Sequence, residues 1–355
     1  MKRKKVLIYY TGGTIGMTAT TPRDADPEFP NRVATELAGV GGLPEWDFVR
    51  RPTLLDSSDM TPWQWHDIAG YIVSRRNDYD AFVVLHGTDT MAYTTSALTF
   101  MIGGLVGKPI VFTGSQVPLA VQPRECNDAR DNLINSLRIA GDDRLAPVVS
   151  LFFKNKLLLG CRATKVDASD WDAFDSPNAD PLARVTEDGI EFSPFSQHEV
   201  LPLSEDPDGA PEVQAFTRTE VGLLRLFPGI SGEITRNFLQ SPLKGAVLHA
   251  YGSGNGPSRR SNPSFRDALR DAVSRRGVVI VACTQCLRGN VNLSLYQTGL
   301  GDDLVISGFD MTAEAAVTKL FWLLSRNLGR SEVERQMQLN LRGELTLPTP
   351  PLPCP

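Results

Sequence analysis

The chain has 355 residues, enough for two domains, and its 41% hydrophobic and 22% charged fractions are those of an ordinary globular protein. A formal net charge of -5 argues against a nucleic-acid or anionic-membrane surface. The five cysteines (Cys126, Cys161, Cys283, Cys286 and Cys354) are odd in number and scattered, which argues against a secreted disulfide framework.

Lys2 to Lys5 is a basic run that reads as a solvated N-terminus. Only five apolar or aromatic residues, Val6 to Tyr10, follow before the first glycine pair, too few for a signal-peptide core. No apolar stretch is long enough to span a bilayer, so a cytoplasmic location is expected. Val6 to Tyr10 stops abruptly at Thr11-Gly12-Gly13-Thr14-Ile15-Gly16. A short apolar run cut off by glycines predicts a buried parallel strand feeding a tight loop. Open α/β sheets bind ligands at such strand ends, although a plain strand-to-helix turn would use the same glycines.

Asp56-Ser57-Ser58-Asp59-Met60 is a polar loop before a helix start at Thr61-Pro62-Trp63. It reads either as a cap or as an anion site built from hydroxyls and free N–H groups. Ala81 to Leu85 predicts a strand ending at His86-Gly87-Thr88-Asp89-Thr90, with a helix over Met91 to Met101. Pro109 to Thr113 predicts a strand ending at Gly114-Ser115-Gln116, and Asn127 to Ala140 an amphipathic helix. Val148 to Phe153 and Leu157 to Cys161 are strand-like, and Arg162-Ala163-Thr164-Lys165 follows. This alternation implies an α/β domain with a mainly parallel sheet flanked by helices.

Ser204 to Pro211 is acidic, rich in proline and glycine, and the best linker candidate. A second α/β series follows, with strands over Gly222 to Phe227, Ala246 to Tyr251 and Gly277 to Ala282. Helices are expected over Ser231 to Leu239, Ser264 to Ser274, Met311 to Leu328 and Ser331 to Leu339. Leu347 to Pro355 is dense in proline and is expected to be disordered. The domain reading is therefore a larger N-terminal domain over 1–203, a linker over 204–216, a smaller C-terminal α/β domain over 217–345 and a tail over 346–355.

Thr14 and Thr88 thus sit at two strand ends, and Asp89 follows the second. A hydroxyl is a poor nucleophile until a base takes its proton. No serine–histidine nucleophile-elbow pattern is present, so lysine and aspartate are the candidate activators. Lys165 is one such residue if it is drawn out of water, and Asp89 is one if it does not merely cap the following helix. Cys283-Thr284-Gln285-Cys286 has no second cysteine pair or nearby histidines, which favours packing over zinc binding. No metal or organic cofactor is called for.

Together these motifs resemble the bacterial asparaginase family, most of all its cytoplasmic type I branch. The resemblance runs from about Val6 to Leu345. It rests on Tyr10 to Met17, Asp56 to Met60, His86 to Tyr93, Thr113 to Gln116, Thr164-Lys165, Tyr251-Gly252-Ser253-Gly254-Asn255 and Asn340 to Leu345, in the family's order and spacing. It implies hydrolysis of L-asparagine to L-aspartate and ammonia, with Thr14 as nucleophile and Thr88, Asp89 and Lys165 as a proton-transfer chain. It also implies that Asp56, Ser57 and Ser58, with Asp89, hold the substrate's α-groups, and that Asn255 helps complete a neighbouring subunit's site. The family's assembly is a tetramer built from dimers, so a homodimer or homotetramer is expected.

Two departures stand out. Members carry a tyrosine in the loop after the first motif, and Thr18 to Asn31 contains none. Thr164, Thr284, Gln285 and Cys286 match a regulatory asparagine site of type I enzymes, but His249 stands where a relative places an arginine. A neutral imidazole does not reproduce a bidentate arginine–carboxylate pair, so activation by asparagine is expected to be weak or absent. The alternatives are a broader amidase acting on glutamine or D-asparagine, and an amino-acid-binding relative with weak catalysis.

Overall fold

The computed structural model describes residues 3–18, 25–103, 105–122, 127–194, 213–217, 220–296, 298–301 and 304–347. They belong to two units, Met1–Ala215 and Phe216–Pro355. Most of the expected linker and the tail beyond Leu347 lie outside the described residues, as does the 19–24 part of the loop after the first motif.

In the first unit, β1 (Lys5–Gly12), β2 (Glu45–Leu55), β3 (Ala81–Leu85), β4 (Ile110–Thr113) and β5 (Val149–Phe153) pair in parallel in the order 2-1-3-4-5. β6 (Lys156–Leu159) turns back against β5. β7 (Thr164–Lys165) and β8 (Phe174–Asp175) form a separate antiparallel pair. β9 (Ala183–Thr186) and β10 (Gly189–Phe192) then extend the main sheet in antiparallel fashion to eight strands. The helices are α1 (Phe29–Leu37), α2 (Pro62–Ser74), α3 (Met91–Ile102) and α4 (Ala129–Ala140).

The apolar runs explain the centre of the sheet. Val6, Leu7 and Ile8 of β1 and all of β3 are buried, as strands covered on both faces must be. α2 starts with proline in its first turn, and the Thr61 N–H donates to Gln64 Oε1 at 2.8 Å, half of a capping box. α1 and β2 were not expected from the sequence. α1 begins at Phe29-Pro30 in a stretch dominated by proline and acid, yet Phe29, Val33 and Leu37 share one buried face. β2 is an edge strand whose Arg50, Arg51 and Pro52 hide any alternation.

The second unit carries β11 (Val221–Arg225), β12 (Gly245–Ala250), β13 (Val279–Thr284) and β14 (Ile306–Ser307), all parallel and in that order. α5 (Gly232–Phe238), α6 (Pro263–Arg276), α7 (Ala313–Leu324) and α8 (Arg330–Met337) accompany them. Leu248, Phe265, Leu269 and Ile280 anchor its core. Gly277, expected in a strand, instead ends α6 in the left-handed conformation at φ 67°. α7 stops short of Leu328, and Asn327 takes φ 54°, which a helix cannot continue through. Lys319 of α7 is fully buried, and its Nζ lies 2.5 Å from Glu344 Oε1. Among the described residues, no helix is long and apolar enough to cross a membrane.

Candidate active site

The strand order 2-1-3-4-5 reverses direction between β1 and β3, and ligands of open α/β sheets bind outside the strand ends at such a reversal. Because β1 to β5 are parallel, their carboxyl ends share one edge. β1 delivers Thr14, β2 delivers Asp56 to Ser58, β3 delivers His86 to Asp89 and β4 delivers Gly114 to Gln116.

Close backbone contacts lock these turns together. A methyl group on Gly13 would sit 2.4 Å from the Gly87 nitrogen, and Gly13 has φ 94°. A methyl on Gly87 would meet Ser57 Oγ at 2.6 Å, and one on Gly114 would meet the His86 carbonyl oxygen at 2.3 Å. Only glycine permits such approach and, at Gly13, such a backbone. The Thr14 turn, a short 3-10 segment over Thr14–Gly16, therefore packs directly on the turn that carries Thr88. Side chains add to the lock: Thr11 Oγ1 donates to the Leu85 carbonyl at 2.8 Å and Thr90 Oγ1 to the Ser57 carbonyl at 2.6 Å.

Lys165 Nζ lies 3.0 Å from Thr88 Oγ1 and 2.7 Å from Asp89 Oδ1. Its side chain is only 19% exposed, whereas that of Asp89 is 64% exposed. Lys165 is therefore no free surface lysine, and Asp89 pairs with it rather than capping α3, whose N-cap is Thr90. A 3.0 Å contact lets a proton pass between Thr88 and Lys165 in either direction.

Asp56 caps a 3-10 turn over Ser57–Asp59. Its Oδ1 accepts from Ser58 N at 2.9 Å and from Ser58 Oγ at 2.7 Å. These bonds, the backbone one first, hold its carboxyl below the usual range, so it stays ionised well into acid pH. Ser57 is buried beneath Gly87, and Ser58 is exposed. An ionised carboxylate and the exposed serine bonded to it thus face solvent on the turn that packs against Gly87.

The remaining predicted residues fall in two places. Thr164 lies beside Lys165 on β7 in the first unit. Asn255 belongs to the second unit, on a turn where its N–H donates to the Tyr251 carbonyl at 2.8 Å and its Oδ1 accepts from Thr298 Oγ1 at 3.2 Å. His249, Thr284, Gln285 and Cys286 cluster there around the ends of β12 and β13. Gln285 Nε2 donates to the Leu226 and His249 carbonyls at 2.7 and 2.6 Å, and Cys286 N donates to Thr284 Oγ1 at 3.0 Å. Cys283 is buried, its thiol pushed up to about 12 by burial, and Cys286 is an exposed free thiol. Cys283 packs within β13, whereas Cys286, expected to pack with it, is exposed. Among the described residues no cluster of histidine, cysteine and acidic side chains could hold a metal ion.

Sequence reasoning missed three participants. Arg225 sits opposite His249 in the β11–β12 register, with Nη1 3.5 Å from His249 Nδ1, and burial followed by that positive charge lowers the imidazole pKa. Only strand pairing could reveal it. Asp128 takes the Gln116 and Val117 N–H groups at 2.9 and 3.2 Å and so fixes the turn after β4, with burial pushing its carboxyl up. His86 was quoted only as part of a motif, yet it is buried with both ring nitrogens engaged.

The two halves of the chain match two family models: "Asparaginase, N-terminal" over residues 5–197, and "Glutaminase/Asparaginase C-terminal domain" over residues 220–337. The chain is 42% identical to L-asparaginase 1 of Escherichia coli K12, over 98% of this chain and 99% of that protein. It is 39% identical to the 60 kDa lysophospholipase of Mus musculus, over 97% of this chain and 63% of that longer protein. The crystal structure of L-asparaginase I from Vibrio cholerae superposes with a TM-score of 0.85 at 42% identity, covering 97% of this chain and all of that one. Two matched domain models and a whole-length match in both sequence and fold place the chain in the asparaginase family.

Proposed function

We propose that this protein is an amidohydrolase that converts L-asparagine and water to L-aspartate and ammonia through a threonine nucleophile and an acyl-enzyme intermediate. The observation that carries this reading is the contact of Lys165 Nζ with both Thr88 and Asp89, on a turn packed against that of Thr14.

Thr14 Oγ attacks the side-chain amide carbon, its proton ends on the amide nitrogen, and the tetrahedral oxyanion collapses as the carbon–nitrogen bond breaks and ammonia leaves. Water then cleaves the β-aspartyl ester: a carbon–oxygen bond to water forms as the bond to Thr14 Oγ breaks, and the water's proton returns to Thr14 Oγ, handed along by the Thr88 hydroxyl that Lys165 holds. N–H groups of the glycine-bounded turns serve as oxyanion donors, worth about 3–4 kcal/mol each. Asp56, Ser57, Ser58 and Asp89 hold the substrate's α-carboxylate and α-ammonium. Side chains and backbone N–H groups suffice for every step.

With no tyrosine from Thr18 to Asn31, Thr14 loses one aid to proton transfer. Turnover falls rather than affinity, since one acid–base group contributes about 10²-fold or more. Asn255 completes a neighbouring subunit's site in a homodimer or homotetramer, with the first unit as the catalytic domain. The protein works in the cytoplasm.

Ammonia release from L-asparagine, L-glutamine and D-asparagine, measured beside Thr14→Ala and Lys165→Met, tests this. L-asparagine leads and both variants are dead. Faster release from D-asparagine or glutamine points to a broader amidase. Thermal stabilisation by aspartate without ammonia points to a binding protein.

A further inference from the structure

His86 is the first residue after β3, is 1% exposed, and has no part in the scheme above. Its Nδ1 lies 2.7 Å from the Gly87 carbonyl oxygen. That oxygen can only accept, so Nδ1 carries the hydrogen. Burial pushes the ring pKa down to about 4, so at neutral pH the other nitrogen is bare. Nε2 must then accept, and Thr94 Oγ1 of α3 stands 3.1 Å away to donate. The Thr94 oxygen in turn accepts from Trp65 Nε1–H of α2 at 3.0 Å. The bonds therefore run one way: indole N–H to threonine hydroxyl, hydroxyl to imidazole, imidazole to the Gly87 carbonyl.

That carbonyl belongs to the peptide joining Gly87 to Thr88. Residue 87 must be glycine, because any Cβ would collide with Ser57 Oγ, and glycine leaves the peptide free to rotate. The imidazole bond removes that freedom where the Thr88 side chain departs toward Lys165. The far end of the chain sits on α2, the helix that follows the Asp56–Ser58 turn.

We propose that Trp65, Thr94 and His86 form a one-way hydrogen-bond relay that fixes the Gly87–Thr88 peptide and so aims the Thr88 hydroxyl at Lys165, which makes all three positioning residues for amide hydrolysis. The proposal rests on the reading of Thr88 and Lys165 as the proton-transfer pair. The relay explains why polar groups occupy a dry site that apolar side chains could fill, since buried polar networks specify one geometry when every member is satisfied.

The test is steady-state kinetics on asparagine together with thermal melting, for Thr94→Val, Thr94→Ser, Thr99→Val and Lys165→Met. Thr99 is a matched control: it is buried on the same helix, and its hydroxyl bonds within that helix, to the Thr95 carbonyl at 2.8 Å. Thr94→Val lowers kcat about 10- to 100-fold, the scale of a sub-ångström to 1 Å misplacement, with KM within about twofold. Thr94→Ser restores kcat to within about threefold, and Thr99→Val lowers Tm while leaving kcat within about twofold. Where Thr94→Val does not fold, Trp65→Phe is read by the same criteria. Loss of kcat in Thr99→Val in proportion to Tm, no loss in Thr94→Val, or no rescue by serine overturns the relay. An active Lys165→Met overturns the proton-transfer reading and the relay with it. An inactive Lys165→Met beside a fully active Thr94→Val overturns the relay alone.

Discussion

Thr88 and Lys165 are 77 positions apart in the chain, yet the lysine Nζ lies 3.0 Å from the threonine oxygen. Lys165→Met keeps the length of the side chain and removes the charge and the proton carrier. It lowers kcat at least about 10²-fold with a small effect on KM. Asp89, the other partner, is 64% exposed, and exposed ion pairs contribute about 0–1 kcal/mol. The Tm of the variant therefore stays close to that of the parent while its ammonia release collapses. A loss of both together refutes the assignment.

Gly13→Ala places a methyl 2.4 Å from the Gly87 nitrogen and forces a non-glycine residue to φ 94°. Each effect costs on the order of 1–3 kcal/mol, and both push the Thr14 turn away from Thr88. A soluble but destabilised protein with activity near background is the expected result, read by thermal melting and ammonia release. Gly39→Ala, at a glycine with open space around it, changes activity little, although its φ of 72° costs some stability.

His86 gives the stability a pH dependence. The folded protein takes up its proton near pH 4, the unfolded chain near 6.5, so between these values the unfolded state binds more protons. Stability contributed by neutral His86 is complete above about pH 6.5, falls as pH falls, and is gone near pH 4. The total is on the order of 3 kcal/mol. Chemical denaturation from pH 7 to 4.5 in the parent and in His86→Gln checks this. The variant is less stable at neutral pH and loses less on acidification.

The Lys319–Glu344 pair has no solvent exposure on either side chain. Lys319 Nζ also donates to the Met337 and Leu339 carbonyls at 3.1 and 2.6 Å, and Glu344 accepts from the Leu341 and Arg342 N–H groups. Removing one member strands a buried charge, which costs about 3–5 kcal/mol. Lys319→Met is therefore strongly destabilised in urea. Lys319→Met with Glu344→Gln recovers part of the loss, because glutamine still accepts from the backbone.

At the β12 end, Arg225 already donates toward His249, and the imidazole there stays neutral at physiological pH. Initial rates against asparagine at pH 7.5 are expected to be hyperbolic. Sigmoidal rates would show that this cluster still takes up the amino acid, with exposed Arg225 as the first residue to replace.

The parallel centre of the first sheet was legible because β1 and β3 are short apolar runs stopped by glycine, a pattern few other structures produce. Thr14 and the Thr88–Asp89 pair were legible for the same reason, as each sits where such a run stops. Lys165 was legible as a candidate base after a strand end, but its pairing with Thr88 and Asp89 came only with the family resemblance, since nothing in Thr164-Lys165 announces that β7 faces Asp89 across the fold. The contact of Gly13 with Gly87, the Arg225–His249 pair and the Trp65–Thr94–His86 chain depend on how strands and helices lie beside each other, and no local pattern encodes that. β2 and α1 escaped because an edge strand and a proline-led helix carry weak periodicity.

The buried Glu344 also sets how far the chain can be trimmed. Shortening from the end back to Leu347 leaves Thr346 bonded to Asp310 and the acid in place against Lys319. Cutting four residues further would remove Glu344 and leave a cation sealed in a dry interior without its counter-charge. A nested set of stop codons should therefore show a cliff at that glutamate rather than a slope, and affinity tags are safest fused beyond it.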